Sequence, residues 1–101
     1  MKSVYLIRGN DGKYKIGIAK DPKKRISQLQ TGNSDKLTLI ETYESENARK
    51  IESMLHSHYT YTRNIGEWFE LSIKEETSFI DDCKRIDKAI NQLKEMYNVF
   101  I

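Results

Sequence analysis

The stretch SVYLIRGNDGKYKIGIA, residues 3–19, decides the fold, because two alternating segments flank the turn-forming residues GNDG. It reads as a β-hairpin with strands over residues 3–8 and 13–19. A type I turn centred on Asn10 and Asp11, with Gly12 at the left-handed bulge position, pairs Gly9 with Lys13, Tyr5 with Gly17 and Ile7 with Lys15. Val4, Leu6, Ile16 and Ile18 then share an apolar face, and Tyr5, Ile7, Lys15 and Gly17 share the other. A two-residue turn would slip the register by one and put Lys15 on the side of Val4 and Leu6. The cleaner segregation makes the bulged register the expected one.

Working outward, Asp21 is placed to cap a short helix that has Pro22 at its first position and Gly32 just past its end. At about 100° per residue, Arg25 falls within about 40° of Leu29, beside the apolar stripe of Ile26 and Leu29. Residues 36–43 read as a third strand. Ser45 is the expected N-cap of a helix over 46–59, in which Ala48, Ile51, Leu55 and Tyr59 recur at helical spacing. Glu52 lies inside that stripe, so its carboxylate faces the protein or the mouth of a cleft. Residues 65–72, IGEWFELS, form a short extended segment returning against the sheet, with Trp68 and Phe69 expected to plug the core beneath it. Ser72 and Glu75 make a capping box for a last helix over 73–97, with Phe79, Ile80, Cys83, Ile86, Ile90, Leu93 and Tyr97 at helical spacing.

The expected architecture is α+β: a small three-stranded antiparallel sheet, made of the hairpin and the third strand, flanked by helices. Residues 1–71 form its body, and residues 72–101 are a long amphipathic C-terminal helix packed on the same domain. With 101 residues there is room for one modest core. The single cysteine, Cys83, excludes an internal disulfide and argues against a thiolate zinc cluster. The sequence holds no apolar run of the roughly 18 residues a membrane span needs, and no charged start leading into an apolar block. A cytoplasmic protein without a membrane partner is the expectation. Charge is unevenly divided. Residues 1–40 carry nine Lys/Arg against three Asp/Glu, while residues 41–101 carry eight against twelve. The first part is therefore suited to an anionic partner.

The fragments SVYLI (3–7), YKIGIAKDPKKRISQLQ (14–30), ARKIESMLHSHY (48–59) and GEWFEL (66–71) occur in an order and spacing that resembles the GIY-YIG nuclease superfamily. The similarity is to its short phage-type and bacterial branch, in which the second motif reads KIG and a Trp-Phe signature follows the glutamate helix. The resemblance implies hydrolysis of DNA phosphodiesters assisted by a single Mg²⁺ or Mn²⁺. It assigns Tyr5 as general base or water-orienting group, Lys15 as its helper, Arg25 as phosphate clamp and Glu52 as metal ligand. His56, Gly17 and Asn64 are supporting candidates. Relatives often carry a histidine four residues after the helix arginine. Here that residue is Leu29, which leaves the acid–base partner of the reaction open.

The chemistry suits these residue types. A transition state that gathers charge on phosphate oxygens is stabilised by a cation clamp and a metal, and arginine offers a planar fork that stays charged. A hard ion accepts water and substrate oxygens around one carboxylate. On the residues alone, Glu52 would equally serve a helix-flank ion pair with Arg49. Lys13, Lys20, Lys23, Lys24 and Arg25 supply attraction to DNA phosphates without selecting bases. Two functions stay open: a small metal-dependent DNA endonuclease, or a catalytically weak or inactive module of the same fold that binds nucleic acid or modulates a protein. Homo-oligomerisation through the C-terminal helix, or an unidentified protein partner, is the expected source of any sequence preference.

Overall fold

The hairpin forms in the bulged register. In the computed structural model, which describes residues 1–59 and 68–97, β1 (Lys2–Gly9) pairs antiparallel with β2 (Tyr14–Ala19), matching Tyr5 to Gly17 and Ile7 to Lys15. Gly12 has φ 82°, a conformation that a residue without Cβ adopts at little cost. The Gly9 N–H donates to Lys13 O at 2.8 Å and the Gly12 N–H to Gly9 O at 3.0 Å, closing the turn.

The remaining elements are α1 (Pro22–Thr31), β3 (Leu37–Ser45), α2 (Ala48–His58), β4 (Trp68–Phe69) and α3 (Ile73–Tyr97). The sheet has four strands in the order β3-β1-β2-β4, not the three expected. The fourth is only two residues long, pairing Tyr14 with Phe69 and Lys15 with Trp68, and so is too short for periodicity to disclose. Residues 65–67, expected to begin this extended segment, lie outside the described residues.

Strand alternation sorts side chains to two faces. On one face Val4, Leu6, Tyr14, Ile16 and Phe69 meet Ala48, Ile51, Leu55 and Tyr59 from α2 and its end, and Phe79, Cys83, Ile86 and Ile90 from α3. This is the main core. On the other face Tyr5, Ile7 and Leu37 are covered by Ile26 and Leu29 of α1, with Leu39 and Trp68 alongside. Phe69 therefore plugs the main core, whereas Trp68, one residue earlier, packs on the opposite face. Neighbouring residues on a strand cannot both point beneath the sheet.

α1 starts as expected, with the Asp21 carboxylate accepting from the Lys24 N–H at 3.1 Å. α3 starts with the expected reciprocal box: the Ser72 N–H donates to Glu75 Oε1 at 2.8 Å and the Glu75 N–H to Ser72 Oγ at 3.1 Å. α2 starts later than expected, with Asn47 rather than Ser45 at the N-cap. Ser45 ends β3, accepts from the Asn47 N–H and donates to Asp87 Oδ1 at 2.9 Å. Its hydroxyl bridges the Asn47 N–H to a carboxylate 42 residues away, while pairing within β3 keeps Ser45 in the strand and α2 begins two residues later.

Asp87 is the centre of a polar cluster that fastens α3 to the sheet. The Tyr43 hydroxyl donates to Oδ2 at 2.7 Å, and Asn47 Nδ2 donates to Oδ1 at 2.7 Å. Asn47 also donates to Asn91 and accepts from Lys94. Burial pushes the Asp87 carboxyl pKa up, but hydrogen bonds from Asn47, Tyr43 and Ser45, with the Lys94 charge, outweigh it and hold the pKa below the ordinary value. Burial and the bond to Asp87 push the Tyr43 phenol up to about 12. Further along the helix, Tyr59 donates to Asp82 at 3.1 Å, and Tyr14 and Arg8 both reach Glu76.

Candidate active site

Register places Tyr5 directly across from Gly17, and the pairing is closer than hydrogen bonding alone requires. A Cβ at Gly17 would fall 2.5 Å from Tyr5 Cζ and closer still to the phenolic oxygen. The phenol thus lies over the glycine, in space that any side chain would fill. Tyr5 is 3% exposed, so its side chain is buried, and it lines one wall of a cleft.

That cleft, of about 430 Å³, wraps around the outer edge of β2. β4 pairs with β2 only at Tyr14 and Lys15, so residues 16–19 have no strand partner on that side among the described residues. The cleft is lined from one sheet face by Tyr5, Lys15 and Arg25 and from the other by Glu52, Ser53 and His56, with Ile16, Gly17 and Ile18 between them. Four elements, β1, β2, α1 and α2, contribute.

α2 substitutes for the missing strand at one point. His56 Nε2 lies 2.9 Å from Ile16 O, and since a carbonyl only accepts, Nε2 carries the proton. The His56 ring also meets Phe69 edge-on, with centroids 5.1 Å apart. These contacts hold the helix against the strand edge, and Glu52, one turn earlier on the same face, is held over the cleft in consequence. His56 sits at the cleft with its Nε2 already engaged.

Glu52 is half-buried, and the ion pair with Arg49 that its spacing permits does not form among the described residues. Arg25, on the exposed side of α1, reaches the cleft from the opposite side. No group of three His, Cys, Asp or Glu capable of holding a metal occurs among the described residues. The donor set at the cleft is one carboxylate in an open, solvent-facing recess. That fits a hard divalent ion that keeps water and borrows substrate oxygens, and it does not fit a closed zinc-type cage.

The other predicted residues are dispersed. Of the five cations expected to attract DNA, only Arg25 lines this cleft. Lys20 and Lys23 border a shallow groove at the start of α1, together with Ser3, Thr42 and Glu44. Lys24 is exposed on α1, and Lys13 lies at the hairpin end near Trp68. Asn64 lies outside the described residues. Ser53 was not anticipated; its position next to Glu52 was the only signal for it. Among the described residues no helix is long and apolar enough to cross a membrane.

A family model described as the T5orf172 domain matches residues 2–94, from the first strand into most of α3. Comparison with curated proteins and with solved structures gave no match.

Proposed function

The chain belongs to the T5orf172 domain family, which is related to nucleases, and on that footing we propose that it is a small metal-assisted DNA endonuclease of GIY-YIG type. The observation that carries this reading is the convergence of Tyr5, Lys15, Arg25 and Glu52 on one cleft from four separate elements.

In this reading a DNA phosphate enters along the open edge of β2. Arg25 holds non-bridging oxygens through the planar fork of its guanidinium. Gly17 leaves room for the Tyr5 phenol to lie against the strand, where it orients the attacking water or takes its proton. Lys15, two residues before Gly17 on the same sheet face, adds positive charge beside the phenol for the anionic substrate. Glu52 is the carboxylate to which Mg²⁺ or Mn²⁺ would bind; the ion, when bound, neutralises charge developing on phosphate oxygens. His56 positions α2, and hence Glu52, through its bond to Ile16 O.

Supercoiled plasmid incubated with the protein and Mg²⁺ or Mn²⁺ tests the assignment. Nicked or linear product is expected from the unaltered chain, with loss of about a hundredfold or more in Glu52→Ala and Tyr5→Phe. Cleavage that survives Glu52→Ala would overturn the site. DNA retention that weakens with salt, with no cleavage in either metal, would instead identify a binding module that keeps the fold without turnover.

A further inference from the structure

Lys15 connects the cleft to a second recess. Its ammonium stands 5.9 Å from the centroid of the Trp68 ring, and Trp68 forms a wall of a separate cavity of about 220 Å³ at the hairpin end. One flank of the half-buried indole packs with the cluster around Tyr5, Ile7 and Leu37, which fixes the ring in place. The volume is below the roughly 300 to 1,000 Å³ typical of pockets for whole drug-sized ligands. One planar ring system fits such a space, and a complete nucleotide does not.

The walls are Trp68 and Leu37, and the rim carries Asp11, Asp35, Asn33 and Lys13. Two carboxylates against one ammonium disfavour a phosphate. Asn33 Oδ1 already accepts from the Asp35 N–H at 3.0 Å, which leaves the amide NH₂ as a donor. Asp11 Oδ1 accepts from the Lys13 N–H at 3.1 Å, and its second oxygen remains an acceptor. The rim therefore offers carboxylate acceptors together with an amide donor. Guanine complements it: N1–H and N2–H₂ are adjacent donors on one edge, and O6 is an acceptor beside them.

We infer that this recess receives a single unstacked guanine, lying against Trp68, from the DNA strand whose phosphate occupies the neighbouring cleft. The inference rests on the DNA reading of that cleft and adds a base specificity to it. A base paired and stacked within a duplex does not reach such a recess, so the preferred substrate has an unpaired or extruded guanine beside the bond that is cut. Stacking on the indole supplies the affinity, and the carboxylate rim supplies the choice of base.

Trp68 is the only tryptophan, so a single indole N–H resonance reports on the recess. The full chain, without divalent metal, is titrated with the trinucleotides d(TGT), d(TAT), d(TCT) and d(TTT). The indole signal is expected to shift with d(TGT) at concentrations about tenfold lower than with the other three, the discrimination of one well-formed polar pair. Asp35→Asn should abolish that preference. Asp35 is exposed and its side chain makes no hydrogen bond or ion pair among the described residues, so the variant is expected to keep the fold. An unmoved indole signal, equal shifts with all four trinucleotides, or an equal shift with free arginine would each overturn the inference. Metal-dependent plasmid cleavage with a silent indole overturns it while leaving the nuclease reading intact. A guanine-selective shift without cleavage supports it and counts against the nuclease reading.

Discussion

Two polar regions of this molecule handle their charges in opposite ways. Around Asp87, every group is spent on a neighbour: Tyr43, Ser45 and Asn47 donate to the carboxylate, and Lys94 reaches Asn47. Around the open edge of β2, the side chains of Glu52 and Arg25 face one cleft and form no hydrogen bond or ion pair among the described residues. A polar group taken out of water is costly unless it is bonded, so the first cluster reads as architecture. Charges held at a cleft without internal partners keep their capacity for a ligand. The difference separates polar residues that hold the fold from polar residues that the fold holds in place.

The largest effect is expected at Gly17, where the backbone of the open cleft meets the Tyr5 phenol. In Gly17→Ala the new methyl group would occupy the place of the Tyr5 phenol, and the ring would have to leave the strand. Plasmid cleavage should fall by about a hundredfold or more, as for removal of a catalytic donor. Overpacking should cost about 1–3 kcal/mol in urea denaturation. Full cleavage in Gly17→Ala would show that the position of the phenol over residue 17 has no part in the reaction.

Next comes Asp87. Asp87→Ala leaves Tyr43, Ser45 and Asn47 without their acceptor in a part-buried setting, and about 2–4 kcal/mol of stability should be lost. Cleavage per folded molecule should be unchanged. The same carboxylate governs an acid limb. Its folded pKa lies below the ordinary value of 3.8, so the stability it contributes is complete above that value and is lost as pH falls through the lower folded pKa. Urea midpoints between pH 5 and pH 2 should fall less steeply in Asp87→Asn than in the unaltered chain. Parallel slopes would mean that another carboxylate carries the acid sensitivity.

The contrast also marks what a sequence discloses. The hairpin register was legible because turn chemistry is local: Gly12 supplies the positive φ, and alternation then fixes which side chains share a face. The caps at Asp21 and at Ser72 with Glu75 were legible for the same reason, since donor and acceptor lie three residues apart. What stayed hidden was non-local. Ser45 stays in β3 and is tied to Asp87 across 42 residues of chain, and the helix it was expected to cap has its N-cap at Asn47 instead. β4 has two residues, and Trp68 is directed to the other face by a pairing with Lys15 that no periodicity reveals. At the cleft, the shared face of Tyr5, Lys15 and Gly17 was readable from register. The approach of Glu52 from the opposite side was not, because it depends on His56 bonding the edge of β2.

The smallest expected effect tests the comparison most directly. If Arg25 and Glu52 are held for a ligand, neutralising either removes no internal bond. Glu52→Gln preserves side-chain shape, and Arg25→Gln shortens an exposed side chain that has no internal partner among the described residues, so each should change the unfolding free energy by no more than about 0.5 kcal/mol, the range of ordinary surface substitutions. For a domain of this size that corresponds to a shift of about 2–4 °C at most in Tm. Cleavage should nevertheless be lost in both, with DNA retention at low salt weakened in Arg25→Gln, which removes a phosphate contact. A loss of more than about 1 kcal/mol in either variant would place that residue with the Asp87 cluster, as part of the architecture. Stability unchanged with activity gone would instead show that the open edge of β2 carries charges the fold itself does not need.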